Sequence, residues 1–324
     1  MKMTMVEALN SCLKQEMGRD GSMVVLGEDV GRDGGVFRVT EGLYEKFGRE
    51  RVIDTPLSES GIMGVAVGMA ALGARPVAEI QFQGFEYNGY HHLVQHAARL
   101  RNRTRGEFTV PMVLRLPYSG GIRALEHHSE SLESAYLHIP GLKLACPSSP
   151  YDAKGLLAAA AVDGDTVLFF EPKRLYRAFR EEVPEERYEL ELGKANILKE
   201  GRDVTLVSWG AMTHVSKDAV ADAEAQNVSV EHIDLRTLAP CDWETIVTSV
   251  KKTGRCVVVH EAVKTLGFGA EIAARIMERA FLSLEAPVRR VTGWDITIPY
   301  PKNEDYFFPD KARILKGIME TARF

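Results

Sequence analysis

The chain has 324 residues, of which 26% are charged, and a formal net charge of −5, which is typical of a globular protein of about two domains. The acidic balance excludes the basic surface that nucleic acids and anionic membranes require. No apolar run approaches the roughly 20 residues of a membrane span. The four cysteines form no CxxC pair or ligand cluster, so we expect reduced thiols in a cytoplasmic protein (Cys12, Cys146, Cys241 and Cys256).

The first part of the chain alternates between predicted helices and strands. Residues 1–17 form an amphipathic helix whose acidic residues argue against a targeting peptide. Short apolar runs then predict strands at 23–26, 75–81, 110–116, 142–146 and 166–170. Helices are predicted at 54–73, 126–138 and 151–162. This alternation indicates a parallel sheet that is covered on both faces.

A charged segment with one proline, residues 179–193, interrupts the pattern and is the best linker candidate. Beyond it the alternation resumes, with strands at 203–208, 229–235, 255–260 and 288–292 and helices at 212–226, 243–252, 268–281 and 310–321. We therefore predict an α/β fold of two doubly wound domains. The first covers residues 1–185, the linker 186–200 and the second domain 201–324.

The segment DTPLSESGIMGVAVGMAALG, residues 54–73, combines a helix start with several interior glycines. Ser58 is placed to cap the helix, and Glu59 lies in the first turn, where a carboxylate suits the helix dipole. Each glycine costs roughly 1 kcal/mol relative to alanine in a helix interior. We therefore predict a buried helix whose glycine face admits another backbone (Gly61, Gly64 and Gly68). Glu59 is either a capping acid or a catalytic carboxylate.

Several familiar site motifs do not account for this chain. It has no P-loop, no dinucleotide fingerprint and no G-x-S-x-G elbow, so nucleotide binding would rest on fold analogy alone. Ser129 and His128 are adjacent, and adjacent helical residues do not face each other. Three closely spaced histidines form no HExxH motif, so we predict that they are surface or interface residues (His91, His92 and His96). His127 and His128 lie at the start of a predicted helix, where they could either transfer protons or be solvated residues without a chemical role.

Polar groups converge on one edge of the first predicted sheet. Glu28, Gln81 and Phe85 follow the carboxyl ends of predicted parallel strands, as does Glu59. Ligands bind at such edges in open α/β sheets. Two carboxylates, an amide and an aromatic ring would suit a flat heterocycle with polar edges.

Four motifs, VVLGEDVGRDGGVFRVTEGLYEKFG, RVIDTPLSESGIMGVAVGMAALGARPVAEIQF, PYDAKGLL and FFEPKRLYR, together resemble the β subunits of thiamine-diphosphate-dependent 2-oxo acid dehydrogenases. The similarity continues through GKANILKEGRDVTLVSWGAM, HIDLRTLAP and KTGRCVVVHEA and so covers essentially the whole chain. It implies a pyrimidine-binding domain, a transketolase C-terminal-like domain and an assembly of two α and two β subunits. It also implies decarboxylation of a 2-oxo acid and acylation of a lipoyl group on an acyltransferase core.

The same resemblance implies roles for single residues. Glu59 matches the glutamate that hydrogen-bonds the aminopyrimidine ring, and Phe85 matches an aromatic residue that packs against this ring. The same pocket is lined at the positions of Glu28, Leu57 and Gln81. His128 matches a histidine of acyl transfer to lipoyl, and its neighbour His127 leaves the choice between the two open.

The resemblance also implies two metal ions. A potassium ion is expected at four positions, the last of which is often Asn in relatives (Met112, Ala160, Asp163 and Asp165). The Gly-Asp-Gly and Asn-Asn runs that hold Mg²⁺ and diphosphate in thiamine enzymes are missing. We therefore expect the α subunit to hold them and this chain to be inactive alone.

The substrate is predicted from short motifs. EPKRLYR, VTGWD and FFPD favour branched-chain 2-oxo acids. The same role with pyruvate is the alternative, and a non-catalytic docking subunit is the alternative of a different class.

Overall fold

Two sheets flanked by helices follow one another along the chain in a computed structural model that describes residues 1–324. The helices of the first part are α1 (Met5–Arg19), α2 (Leu43–Phe47), α3 (Glu59–Ala71), α4 (Tyr90–His92), α5 (Leu100–Arg103), α6 (Glu133–Leu137) and α7 (Pro150–Val162). Its strands are β1 (Lys2–Met3), β2 (Met23–Gly27), β3 (Val52–Asp54), β4 (Arg75–Glu79), β5 (Val113–Tyr118), β6 (Lys143–Ala145), β7 (Val167–Pro172) and β8 (Glu181–Glu182).

The second part contains five helices and six strands. The strands are β9 (Asn196–Lys199), β10 (Val204–Ser208), β11 (Val230–Asp234), β12 (Thr237–Ala239), β13 (Cys256–Val263) and β14 (Arg289–Gly293). The helices are α8 (Ala211–Glu224), α9 (Trp243–Thr253), α10 (Phe268–Ala280), α11 (Glu304–Phe307) and α12 (Lys311–Ala322). No helix of the chain is long and apolar enough to cross a membrane.

The first sheet has seven strands in the order β12-β6-β7-β5-β4-β2-β3. All neighbours are parallel except β12, which pairs antiparallel with β6. The central strands β2, β5 and β7 are buried along their whole length, as expected for a parallel sheet with helices on both faces. Since β12 follows β11 in sequence, the second part of the chain supplies the edge of the first sheet.

The second sheet has five strands in the order β14-β13-β10-β11-β9. Its first four strands pair in parallel, and β9 closes the other edge in antiparallel pairing with β11. Strand β9 lies within residues 186–200, which the sequence assigned to the linker. Its residues are half-buried or exposed, so it lacked the apolar run on which strand prediction depends.

Helix α3 begins where the sequence predicted. The Ser58 hydroxyl accepts a hydrogen bond from the Gly61 N–H at 3.4 Å, which confirms Ser58 as the capping residue. The prediction that the glycine face is buried is wrong for this chain by itself. Gly61 and Gly68 are exposed, and a Cβ on Gly68 would meet no atom within 4 Å.

The prediction of a continuous helix at residues 126–138 is also wrong. The structure has a 3-10 turn at Glu126–His128, and α6 begins only at Glu133. Ser129, between them, is fully buried, and its hydroxyl lies within hydrogen-bonding distance of the Leu125 carbonyl and the Glu304 carboxylate. Serine side chains that bond to nearby groups compete with helix formation in this way.

Candidate functional site

The candidate site lies at the carboxyl ends of three adjacent strands, β3, β2 and β4. Gly27 at the end of β2 is in register with Asp54 on β3 and Glu79 on β4. The loops that follow therefore start from one edge of the sheet and bring Glu28, Glu59 and Gln81 together there. This is the edge at which the sequence predicted a ligand.

Glu28 and Glu59 lie near enough at this edge for their charges to interact. The Glu59 side chain is buried in the first turn of α3, where the residue is 8% exposed. The pKa of Glu28 is raised, first by burial and then by the negative charges of Glu59 and Asp29. Two carboxylates held close in this way offer hydrogen-bond acceptors to an N–H group of a ligand, which would relieve their mutual repulsion.

Two further residues that were predicted to line the pocket, Gln81 and Leu57, differ in their placement. The Gln81 amide donates a hydrogen bond to the Asp29 carboxylate at 3.0 Å, so it spans from the end of β4 to the loop of Glu28. Leu57 lies between β3 and α3 and is 79% exposed. A leucine so exposed can line a pocket only if another surface covers it.

Aromatic rings cluster in the segment that follows β4 and packs against α3, the helix of Glu59. The centroid of Phe85 lies 5.3 Å from that of Phe82 and 5.1 Å from that of His128, and both pairs are edge-to-face. His128 also contacts Phe82, with centroids 4.5 Å apart, whereas His127 lies 5.9 Å from Phe85. His128 thus contacts both phenylalanine rings, and its Nδ1 atom has no hydrogen-bond partner.

A buried lysine, for which the sequence predicted no role, adds positive charge near His128. Lys173 follows β7, and its Nζ atom lies 5.5 Å from the centroid of Phe82 and has no hydrogen-bond partner. Burial lowers the pKa of Lys173 to about 7. The pKa of His128 is also lowered, by burial and then by the positive charges of Lys173 and His127, so the neutral imidazole is favoured. The available signal was a lysine placed directly after a buried strand.

Beneath the site, a buried arginine joins three neighbouring strands. The Arg115 guanidinium on β5 donates to both carboxylate oxygens of Glu171 on β7, at 2.6 and 2.7 Å, and to Glu79 on β4. The Tyr176 hydroxyl donates to Glu171 at 2.5 Å. Although burial opposes the charge, the two carboxylates raise the pKa of Arg115. Charged residues inside otherwise apolar strands were the overlooked signal for this network.

A second buried acid lies behind Phe85. The Tyr136 hydroxyl donates a hydrogen bond to Glu86 at 2.6 Å and accepts one from the Gln83 amide at 3.1 Å. Burial raises the pKa of Glu86 to about 8, so this carboxyl holds its proton at neutral pH. No pattern in the sequence indicates that this acid is buried.

The positions predicted for potassium lie at the opposite edge of the sheet, near the amino ends of β5 and β7. Both carboxylates are already paired with protein cations: Asp163 with Lys143 at 2.6 Å and Asp165 with Arg101 at 2.7 Å. The Asp163 carbonyl accepts a hydrogen bond from Arg75. The carboxylate part of the predicted ligand set therefore does not fit a further cation.

No group of three or more His, Cys, Asp or Glu side chains in the chain could hold a metal ion. This is also true of His91, His92 and His96, although their rings lie close together.

Comparison with known proteins gives the class to which this fold and pocket belong. Residues 1–178 match the family "Transketolase, pyrimidine binding domain" and residues 193–314 match "Transketolase, C-terminal domain". A split-gene transketolase solved as an inactive β4 tetramer superposes with a TM-score of 0.81 at 21% identity, over 99% of this chain and 98% of that one. A transketolase variant from Pichia stipitis gives 0.70 at 12% identity, over 100% of this chain and 46% of that one. The fold is that of the transketolase-like, thiamine-diphosphate-dependent enzymes.

Relatives at higher identity define the family. The β subunit of the pyruvate dehydrogenase E1 component from Acholeplasma laidlawii is 56% identical over 320 residues, which is 99% of this chain and 98% of that protein. The subunits of the same name from Staphylococcus epidermidis and Staphylococcus aureus are 50% and 48% identical over 323 residues, 100% of this chain and 99% of each relative. The chain belongs to the β subunits of the thiamine-diphosphate-dependent 2-oxo acid dehydrogenases, which are oxidoreductases. The predicted preference for branched-chain substrates is not confirmed.

Proposed function

We propose that this chain, together with an α subunit, oxidatively decarboxylates pyruvate and transfers the acetyl group to the lipoyl group of an acyltransferase core. The relatives described above, which are 48–56% identical over nearly their whole length, are all pyruvate dehydrogenase subunits. The branched-chain preference rested on three short motifs, and these whole-chain similarities outweigh it. The observation that carries the proposed activity is the Glu28–Glu59 carboxylate pair beside the Phe85 ring.

This pocket has the chemistry to hold the aminopyrimidine of thiamine diphosphate. When bound, the cofactor supplies the carbon nucleophile and stabilises the charge that decarboxylation leaves. Glu59 would accept an N–H hydrogen bond from the ring, and the nearby Glu28 would strengthen the local preference for such a donor. Phe85 would pack against the ring face, and Gln81 would hold the Glu28 loop in place. The chain thus provides orientation and an electrostatic environment for the cofactor.

We assign proton transfer at the lipoyl group to His128 rather than to His127. The neutral imidazole that burial and Lys173 favour can accept a proton, and Nδ1 is not engaged in any hydrogen bond. The two phenylalanine contacts fix the orientation of the His128 ring. The rings that surround His127 are further away, since Phe85 and Tyr87 each lie 5.9 Å from it, so its orientation is less closely fixed.

We propose that the α subunit completes the site and covers the exposed surface next to it. Leu57 and the glycine face of α3, with Gly61 and Gly68, lie exposed beside the pocket. The α subunit would hold Mg²⁺ and the diphosphate. A potassium ion would need carbonyl oxygens such as those of Met112 and Ala160, because the carboxylates of the loop are paired.

The division of labour along the chain is part of the same proposal. Residues 1–185 would bind the pyrimidine and residues 201–324 would form the transketolase C-terminal-like domain. The segment 186–200 connects them and contributes β9 to the second sheet. A cytoplasmic location stays a prediction.

The proposal is tested with Glu59→Gln in enzyme reconstituted with the α subunit, thiamine diphosphate and Mg²⁺. Loss of a positioned acid–base group reduces rates by about 10²–10⁴-fold, so we expect this loss for decarboxylation while assembly is retained. Glu50→Gln, an exposed acid of the same domain, is the matched control. Unchanged turnover by Glu59→Gln would leave only a docking role for this chain. Rates with pyruvate and with a branched 2-oxo acid decide the substrate, and activity of the chain alone would refute the need for α.

A further inference from the structure

The loop that carries His127 and His128 begins with an unusual backbone. Directly after β5, Ser119, Gly121 and Arg123 have φ values of +76°, +87° and +56°. Only glycine adopts this region freely, so two of the three residues are held in a conformation that L-residues rarely populate. Such conformations persist only where the surroundings fix them. The loop therefore requires an external anchor.

A carboxylate from the far end of the chain provides that anchor. Glu304, in α11, is fully buried and accepts hydrogen bonds from the backbone N–H groups of Gly121 and Arg123, each at 2.8 Å. Its Oε1 atom also accepts from the Ser129 hydroxyl at 3.2 Å. Left-handed residues in such a turn point successive N–H groups at one anion site, and a buried carboxylate makes these bonds strong. One side chain thus ties the start of the loop to the residue after His128.

The surrounding packing leaves no space for another arrangement. A Cβ on Gly120 would lie 2.1 Å from Cζ of Phe308 and 2.9 Å from Oε1 of Glu304, so only glycine fits at this position. The Ser119 N–H donates to the Glu130 carbonyl at 3.0 Å, which closes the loop behind the histidines. The next residue in α11, Asp305, is exposed and forms only a solvated ion pair with Arg123, at 3.0 Å.

We propose that Glu304 is a positioning residue for His128, acting from the transketolase C-terminal-like domain on a loop of the pyrimidine-binding domain. By fixing both ends of the loop, it holds the His128 ring against Phe82 and Phe85. The anchor itself stands on the geometry of this chain. Its expected effect on acyl transfer rests on the function proposed above for His128.

The activity test compares Glu304→Gln with Asp305→Asn in enzyme reconstituted with the α subunit. The glutamine keeps the size of the side chain but turns an N–H₂ group toward a backbone donor, so at least one charge-assisted hydrogen bond is lost. We expect lipoyl acylation to fall by about 10- to 100-fold. Decarboxylation measured with an artificial electron acceptor should change less than about twofold, and Asp305→Asn should leave both rates unchanged. Equal losses in both assays would overturn the positioning role.

Hydrogen exchange of the same reconstituted enzymes tests the anchor without relying on activity. Amide exchange in residues 119–130 should accelerate by about tenfold or more in Glu304→Gln and remain slow in Asp305→Asn. Ser129→Ala, which removes one donor and no charge, gives a milder second variant and should accelerate exchange less. Exchange in Glu304→Gln equal to the wild type refutes the anchor. Faster exchange with unaffected acylation, together with an active His128→Ala enzyme, would instead refute the proposed role of His128.

Discussion

Replacing Arg115 by methionine is expected to be among the most destabilising single changes in this chain. The guanidinium is buried between Glu79 and Glu171 and makes three hydrogen bonds to their carboxylates. Methionine fills much of the same volume but leaves two buried carboxylates without a cation, and only Glu171 keeps a hydrogen bond, from Tyr176. Breaking a buried ion pair from one side costs about 3–5 kcal/mol, and here two carboxylates are affected, which places the expected cost at the upper end.

The assay is urea unfolding of the full chain at pH 7, followed by circular dichroism, with thermal unfolding as a second measurement. For a domain of roughly 185 residues the unfolding entropy is about 0.4 kcal/mol/K, so a loss of ~5 kcal/mol lowers Tm by about 12 °C. Arg115→Lys keeps the positive charge but not the planar, forked guanidinium, so its stability should lie between those of the wild type and Arg115→Met. The matched control is Lys316→Ala, an exposed residue 3.8 Å from Glu320, with an expected cost below about 1 kcal/mol.

A third variant tests the cause of the loss. Adding Glu79→Gln and Glu171→Gln to Arg115→Met removes the unpaired charges and should recover part of the stability. If Arg115→Met alone unfolds within about 1 kcal/mol of the wild type, the argument from unpaired buried charge is refuted. If the triple variant is no more stable than Arg115→Met, lost packing rather than charge is the cause.

Three further predictions concern other parts of the site. Lys173→Met should raise the pKa of His128, so the acid limb of the pH profile of lipoyl acylation should move to higher pH, while the decarboxylation profile stays in place. The buried carboxyl of Glu86 has a folded pKa of about 8, above the ordinary 4.5, so the wild type loses stability as pH rises between these values. Glu86→Gln lacks this loss, so its free energy of unfolding in urea, relative to that of the wild type, should grow by up to about 1.4 kcal/mol per pH unit in that window. A difference that does not depend on pH would contradict the raised pKa of Glu86. A Cβ on Gly68 would meet no atom of this chain within 4 Å, so Gly68→Leu should leave the urea midpoint of the chain unchanged or higher. The same variant should prevent association with α in size-exclusion chromatography, whereas Gly18→Leu, at an equally open position on α1, should permit it. Assembly of both variants would exclude the glycine face as the contact.

The sequence determined the order of elements and the edge of the sheet at which the site lies. Apolar runs bounded by turns located β2, β4, β5 and β7 because strands of a covered parallel sheet are buried along their length. In such a sheet, residues that follow neighbouring strands must meet at one edge. Glu28, Glu59, Gln81 and Phe85 therefore could be grouped from one-dimensional information, and the family resemblance added what they would bind.

Only the tertiary structure decided which charges are buried and what holds the histidine loop. Arg115 and Lys173 carry only a weak signal in the sequence, as charges inside or directly after an apolar strand, and Glu86 carries none, because burial depends on elements that pack from elsewhere in the chain. The 3-10 turn at Glu126–His128 replaced a predicted helix for the same reason: Glu304, some 175 residues away, offers Ser129 and the preceding amides better partners than the helix does. Contacts at such separation leave no local periodicity, and hydrogen bonding to a distant carboxylate outweighs local helix propensity.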